Sequence, residues 1–392
     1  MISVYKNWIL PIIVFAQFCC TSLWFAGNGV MVSIIDNFGL RENVLGYLTS
    51  AVQLGFIIGT FLFALYTISD RFSPSKVFFC SALASAVFNF CISLDFNTLG
   101  SLLVLRFLTG FFLAGIYPVG MKIASDYFKE GLGKSLGFLV GALVLGTALP
   151  HFLKSVNIFP TWRFVVYVTS ELAILGGLLM LLLVPNGPFR KPALQFDFSA
   201  VYKVFKRSRF RSAAFGYFGH MWELYAFWAF LPVVLKAYVN YHDTLSFDVS
   251  IISFTVIAVG SVGCIISGYL SQKFGAKRIA TMALAISCVC CLFSPVFFIS
   301  DIYSLGLVFL LIWGMAVIAD SPLFSTLVAQ NAEVEVKGTA LTIVNSIGFA
   351  ITIVSIQLLN SLESKIDAKY LFVVLAVGPV IGLMALFKRR SV

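Results

Sequence analysis

Six ionisable residues lie inside long apolar stretches of the sequence. They are Arg106, His151, Glu171, His220, Glu223 and Asp320. A charge at the centre of a membrane-spanning helix costs about 2.5 to 3.5 kcal/mol on insertion scales, so each residue is a functional candidate. His220 and Glu223 are three residues apart and share a face of any helix that contains both. Buried carboxyl and imidazole groups can exchange protons near neutral pH, and we therefore predict proton coupling at Glu223, His220, Asp320 and Glu171.

A second set of residues has the chemistry for binding a solute. It comprises Arg106, Gln17, Trp24, Asn28, Trp222 and Tyr225. Gln17, Trp24 and Asn28 recur with Thr21 at steps of three or four, which predicts a polar stripe along one helix. Counting the helical rise places Arg106 and Glu171 at the same depth, where they could form a structural ion pair. Otherwise Arg106 is available for an anionic substrate. The aromatic residues fit either a cavity lining or simple packing, and we expect a structural role for His151.

Twelve apolar stretches contain these residues, and each is long enough to cross about 30 Å of hydrocarbon as a helix. The predicted spans are 8–34, 44–67, 75–94, 98–123, 133–154, 162–184, 211–238, 249–271, 277–298, 303–328, 337–361 and 368–387. Backbone groups in lipid must be satisfied within the segment, so each span must be helical. The sequence therefore predicts an all-α integral membrane protein with twelve transmembrane helices.

The composition and the charge distribution agree with a membrane protein. Hydrophobic residues make up 60% of the chain and charged residues 11%. The net charge of +10 follows membrane topology and not nucleic-acid binding, because 20 Lys and Arg fall on one side of the predicted spans and 6 on the other. This bias predicts that both termini are cytoplasmic and that the protein lies in the cell inner membrane. Separately, we expect the protein to be a monomer.

One long connection divides the spans into six plus six. We predict an N-terminal bundle over 1–184, a cytoplasmic linker over 185–210 and a C-terminal bundle over 211–392. Apolar residues in the linker recur at helical spacing opposite basic residues. This pattern is typical of an amphipathic helix on the membrane surface, although a basic solvated linker fits equally well.

The two halves also match each other when the sequence is shifted by roughly 200 residues. SDRFSPSK at 69–76 then falls on SQKFGAKR at 271–278, and Tyr117-Pro118 falls near Ser321-Pro322. The two basic loops, the segment RFLTG at 106–110 and the glycine-rich segment GFLVGALVLGTALP at 137–150 together resemble the major facilitator superfamily over nearly the full length. The resemblance implies two pseudo-symmetric six-helix bundles and a gating role for Asp70, Arg71 and Lys273. Simple helix packing also explains the glycines of 137–150.

These features predict a secondary active transporter and not an enzyme. The leading interpretation is proton-coupled, alternating-access transport of a small organic solute, with an anionic or zwitterionic substrate suggested by Arg106. The alternative is a proton-linked multidrug or metabolite efflux antiporter, and a less favoured one is a sensor or lipid-handling protein on the same scaffold. We expect no cofactor and no metal, since no CxxC pair accompanied by histidine lies near a predicted water boundary. The expected partners are the solute, protons and the lipid bilayer.

Overall fold

A computed structural model describes residues 2–41, 44–128, 132–156, 161–190, 204–242, 246–300, 302–333 and 337–387. Within these residues, eleven helices are long and apolar enough to cross a membrane, and Trp8–Thr21 is a shorter apolar helix. The twelve membrane helices are α1 Ile2–Thr21, α2 Val44–Leu65, α3 Pro74–Cys91, α4 Leu99–Tyr127, α5 Leu132–Val156, α6 Arg163–Leu183, α7 Ser208–Tyr241, α8 Val249–Phe274, α9 Ala276–Ile299, α10 Tyr303–Asn331, α11 Lys337–Leu362 and α12 Ala368–Phe387. The predicted all-α fold with twelve transmembrane helices is confirmed.

The chain forms two compact units, which divide between Phe196 and Asp197. Unit 1 contains α1 to α6 and unit 2 contains α7 to α12. The division falls within the predicted linker. The proposed amphipathic helix of that linker lies largely in 191–203, outside the described residues.

Helices α4 and α10 are both interrupted at equivalent places. The first segment of α4 ends at Leu113 and the second begins at Tyr117, directly before Pro118. In α10 the break is at Asp320, and the second segment begins with Ser321 and Pro322. Proline has no N–H to donate to the preceding turn, so each proline opens a new segment and interrupts the hydrogen-bond ladder. The two breaks agree with the internal repeat seen in the sequence.

The first span is not the single helix predicted over 8–34, and that expectation is wrong. Helix α1 ends at Thr21, and two short helices follow, Ala26–Gly29 and Met31–Phe38. Glycines in this stretch lower the helix propensity by about 1 kcal/mol each relative to alanine. The interruption leaves main-chain carbonyls without intrahelical donors, and another helix of unit 1 supplies donors for them.

Glycines allow the backbones of two helix pairs to touch. A Cβ at Gly55 of α2 would lie 1.9 Å from the carbonyl oxygen of Phe107, and one at Gly110 of α4 would lie 2.0 Å from that of Val52. In unit 2, a Cβ at Gly314 of α10 would lie 2.0 Å from the carbonyl oxygen of Val256 in α8. The pairs α2–α4 and α8–α10 therefore cross at backbone contact in equivalent parts of the two units.

Candidate functional site

The carboxylate of Glu223 is the best-defined polar centre of unit 2. Glu223 lies midway along α7 and is 1% exposed. Ser287 Oγ donates a hydrogen bond to Glu223 Oε1 at 2.5 Å, and Trp313 Nε1 donates to the same oxygen at 2.7 Å. The Cys291 thiol also donates to Oε1, at 3.2 Å. Three donors from α9 and α10 thus converge on one oxygen of a carboxylate on α7.

Sequence reasoning singled out Glu223 but missed its three partners. Ser287 and Cys291 are four residues apart and so lie on one face of α9. Trp313 belongs to the first segment of α10 and is 1% exposed. Serine, cysteine and tryptophan carry no charge and also occur elsewhere in the apolar helices, so nothing in the sequence distinguishes these three as donors to a carboxylate. Their role is visible only once α7, α9 and α10 are packed together.

A second buried acid lies against His220, one turn from Glu223 on α7. His220 Nδ1 and Asp320 Oδ1 are 2.8 Å apart, and both side chains are 1% exposed. Asp320 occupies the break of α10, where its carbonyl oxygen accepts hydrogen bonds from Leu323 N and Phe324 N. Three of the four residues predicted for proton coupling are therefore brought together at the packing of α7 against α10.

Arg106 is held by main-chain carbonyls in unit 1. Its side chain is 2% exposed, and its two terminal nitrogens donate to Leu23 O at 3.1 Å and Trp24 O at 2.5 Å. These carbonyls belong to the turn that follows α1. A guanidinium placed there satisfies carbonyl acceptors of the turn and lies near the negative end of the α1 dipole.

The ion pair between Arg106 and Glu171, one of the two alternatives left open by their shared depth, does not form among the described residues. Glu171 lies on an exposed face of α6, whereas Arg106 points into unit 1 towards the end of α1. The depth count treated α1 as continuous and so did not anticipate the carbonyls that occupy the guanidinium. A proton-coupling role for Glu171 stays a prediction.

Two buried polar residues of the predicted stripe lie on or just after α1. Gln17 is fully buried, and neither atom of its side-chain amide has a hydrogen-bond partner among the described residues. Asn28 Nδ2 donates to Thr49 Oγ1 of α2 at 2.8 Å, while its Oδ1 has no partner in the same part of the chain. Leaving a buried polar group unpaired costs about 1 to 3 kcal/mol. These groups are therefore expected to meet water or a ligand during function.

The aromatic candidates take part in ring packing. Trp24 lies against Phe56 of α2, with ring centroids 4.7 Å apart. Tyr225 contacts Trp228 and Phe349 at centroid distances of 5.4 and 5.3 Å. Trp222 is partly exposed and packs at the position of Gly378 in α12. A binding role for these residues stays a prediction.

Asp70, predicted to act in gating, belongs to a polar cluster at the end of unit 1. Lys122 Nζ lies 2.7 Å from Asp70 Oδ1 and 3.7 Å from Asp126 Oδ1. Arg190, in the segment that follows α6, donates to the carbonyl oxygens of Asp70 and Phe72 at 2.6 and 2.7 Å. The turn between α2 and α3 is thereby connected to α4 and to the chain after α6.

The two other predicted gating residues have local contacts. Arg71 Nε donates to Thr67 Oγ1 at 3.2 Å. Lys273, in the equivalent loop of unit 2, lies over the ring of Phe274 at 5.4 Å from its centroid. Both side chains are exposed.

The sequence profile of the Major Facilitator Superfamily matches residues 13–356. The chain belongs to the major facilitator superfamily. The resemblance found in the sequence is confirmed, and membership in this family agrees with the expectation that the protein is not an enzyme.

Relatives and solved structures are consistent with this family. "Putative multidrug resistance protein MdtD" of Yersinia pestis (strain Pestoides F) is 30% identical over 199 residues, which is 49% of this chain and 41% of the relative. The same protein of Yersinia pseudotuberculosis (serotype O:1b, strain IP 31758) matches equally. The chain thus spans less than half the length of these relatives.

Structural similarity extends over nearly the whole chain. A mutant of the nucleoside transporter NupG superposes with a TM-score of 0.74 at 16% identity, covering 98% of this chain and 100% of its own. The proton:xylose symporter XylE superposes with a TM-score of 0.74 at 15% identity, covering 97% of this chain and 95% of its own. A bacterial homologue of the human lysosomal transporter Spinster superposes with a TM-score of 0.70 at 15% identity, covering 98% of this chain and 96% of its own. At these identities the likeness concerns the fold alone.

Proposed function

We propose that this protein is a proton-coupled secondary transporter of a small organic solute and that Glu223 carries the coupled proton. The observation that carries the proposal is the convergence of Ser287, Cys291 and Trp313 on one oxygen of this buried carboxylate. These donors stabilise an ionised carboxylate in a site that otherwise penalises charge. Glu223 can therefore hold either protonation state, which a coupled transporter requires.

The pair of His220 and Asp320 supplies a second exchange point one helical turn away. An imidazole in contact with a carboxylate can accept or release a proton without creating an isolated buried charge. Asp320 lies at the break of α10, so a change in that break alters its distance from α7. We infer that proton transfer at this pair accompanies the movement of the second segment of α10.

The test is gradient-driven transport by purified protein in liposomes. Glutamine resembles the protonated form of glutamate, so Glu223→Gln should abolish transport driven by a pH gradient while leaving exchange of solute for solute intact. Asp36→Asn is a matched control, because Asp36 is an exposed carboxylate in the short helix Met31–Phe38. Unchanged gradient-driven transport by Glu223→Gln would remove this residue from the mechanism.

A proton-linked efflux antiporter is the second candidate. The name of the relatives, multidrug resistance protein, supports it. So does the cluster of aromatic rings that Tyr225 and Trp228 of α7, the helix of Glu223, form with Phe349 of α11. An antiporter releases protons from the protein when a substrate binds, whereas a symporter does not require such release. Proton release measured on adding ethidium to weakly buffered protein would favour the antiporter, and its absence in Glu223→Gln would assign the proton to this residue.

We further propose a cell inner-membrane location with both termini and the 185–210 linker in the cytoplasm. The bias of 20 inner to 6 outer basic residues supports this orientation.

A further inference from the structure

Gln53 of α2 is a fully buried side-chain amide, and neither Nε2 nor Oε1 has a hydrogen-bond partner among the described residues. In a helix bundle such an amide gains nothing from lipid or from apolar neighbours and loses the bonds it would form with water. Buried polar groups in proteins are nearly always paired, so one amide with both atoms unpaired calls for a ligand. Neither the proton site of unit 2 nor the cap formed by Arg106 uses Gln53.

Two contacts fix the direction in which Gln53 points. Thr49, Gln53 and Phe56 recur at steps of four and three along α2 and therefore lie on one face. Thr49 accepts a hydrogen bond from Asn28 at 2.8 Å, and the ring of Phe56 packs against Trp24 at 4.7 Å. Gln53 lies between these two contacts and faces the same stretch of chain after α1. Asn28 contributes a further acceptor there, because its Oδ1 is also unpartnered within the described residues.

The groups that remain available at this place carry no net charge. A cation, Arg106, lies close to the residue before Asn28, because its Nε is 3.7 Å from where a Cβ of Gly27 would be. Its guanidinium is already bound to the carbonyls of Leu23 and Trp24. What is left is one amide donor group and two amide oxygens. A hydroxyl or amide can pair with both kinds of group, whereas a carboxylate can pair only with the donor.

We propose that Gln53 and Asn28 form a binding site in unit 1 for an uncharged polar group, a hydroxyl or an amide, of the transported solute. This inference rests on the proposed transport function and adds that the transported solute carries an uncharged polar group. The solute supplies hydrogen bonds that none of the described residues provides to Gln53.

Cysteine modification tests the site without knowledge of the substrate. Gln53→Cys is treated in liposomes with three methanethiosulfonates that carry a hydroxyethyl, a sulfonatoethyl or a trimethylammonioethyl group. Modification is followed by mass spectrometry of the peptide that contains residue 53, and each rate is divided by the rate with free β-mercaptoethanol. The matched control is Val52→Cys, since Val52 is the neighbouring residue of α2, is 1% exposed, and has its main chain against Gly110 of α4.

We expect the hydroxyethyl reagent to modify Gln53→Cys at least about tenfold faster than either charged reagent, because a buried uncharged site disfavours both signs of charge. Val52→Cys should stay unmodified. If Gln53→Cys does not fold, Asn28→Cys is used in the same way. Faster reaction with the sulfonate would overturn the preference of the site for an uncharged group. No reaction at either position, or equal reaction at Val52→Cys, would overturn the site itself.

This outcome is independent of the test of proton coupling. Reaction at Gln53→Cys reports access of water and solute to unit 1, whereas the experiment on Glu223→Gln reports coupling in unit 2. A reactive Gln53→Cys together with unchanged gradient-driven transport by Glu223→Gln would leave the site in place and reject only the proton carrier. An unreactive Gln53→Cys together with the loss of gradient-driven transport in Glu223→Gln would reject only the site.

Discussion

Replacing Arg106 by lysine tests whether this guanidinium caps the end of α1. Lysine keeps the positive charge in the same buried position, so the free-energy cost of burying a cation is present in both the wild type and the variant. Its single ammonium group lacks the planar fork that reaches Leu23 O and Trp24 O together. At least one hydrogen bond from a charged donor is lost, which is worth about 1.5 to 3 kcal/mol.

The expected loss is large enough to measure by thermal unfolding. For a unit of this size, 1 kcal/mol corresponds to roughly 2 to 4 °C, so Arg106→Lys should lower Tm by roughly 3 to 12 °C. The assay is unfolding of purified protein in detergent, followed by intrinsic fluorescence. Arg71→Lys serves as the matched control, because Arg71 is exposed and, among the described residues, donates to Thr67 at 3.2 Å. Its Tm should remain within about 1 °C of the wild-type value, as expected for an exposed contact.

The result that would refute the reasoning is an Arg106→Lys protein with the wild-type Tm and weakened solute binding. That combination would assign the guanidinium to the substrate and not to the end of α1. A lower Tm with unchanged binding by the folded fraction would support the cap.

Three further changes have definite expected outcomes. Gly110→Ala should destabilise the protein by about 1 to 3 kcal/mol, because the new Cβ would meet the Val52 carbonyl. Gly268→Ala is the control, because a Cβ at Gly268 has no atom within 4 Å, and it should be neutral or slightly stabilising. Thermal unfolding of the two variants checks this difference. Arg190→Ala should lower the free energy of unfolding by about 1 to 2 kcal/mol, because the carbonyls of Asp70 and Phe72 lose their donor at a partly exposed site. An unchanged Tm would show that this contact does not contribute to stability. A cysteine introduced by Ser199→Cys should react with a membrane-impermeant maleimide only from the cytoplasmic side, and labelling from outside alone would reject the proposed orientation.

Most of the fold could be predicted because hydropathy and the length of a membrane helix act on every span alike. The exception was the first span, where α1 ends at Thr21 and not near residue 34. Hydropathy values do not reveal such an interruption, because the residues remain apolar where the helical hydrogen bonds stop. The contacts of Arg106 with main-chain carbonyls depend on this interruption, and for this reason the sequence did not predict them.

The candidate site was predictable only in part. His220 and Glu223 share a helix, so their spacing alone placed them together. The contact of His220 with Asp320 joins residues 100 positions apart and depends on how α7 packs against α10. Ser287, Cys291 and Trp313 carry no charge and occur in apolar runs, so their convergence on Glu223 is a property of tertiary structure alone.

The hydrogen bond from the Cys291 thiol to Glu223 affects how this protein should be engineered for spectroscopy or cross-linking. Such work commonly begins by removing native cysteines, and this chain has eight. Replacing Cys291 by alanine would delete one of the three donors to Glu223 Oε1 and so alter the group proposed to carry the proton. Serine at this position keeps a donor of similar size. A cysteine-free background should therefore carry Cys291→Ser and be compared with the native chain in gradient-driven transport before any label is introduced.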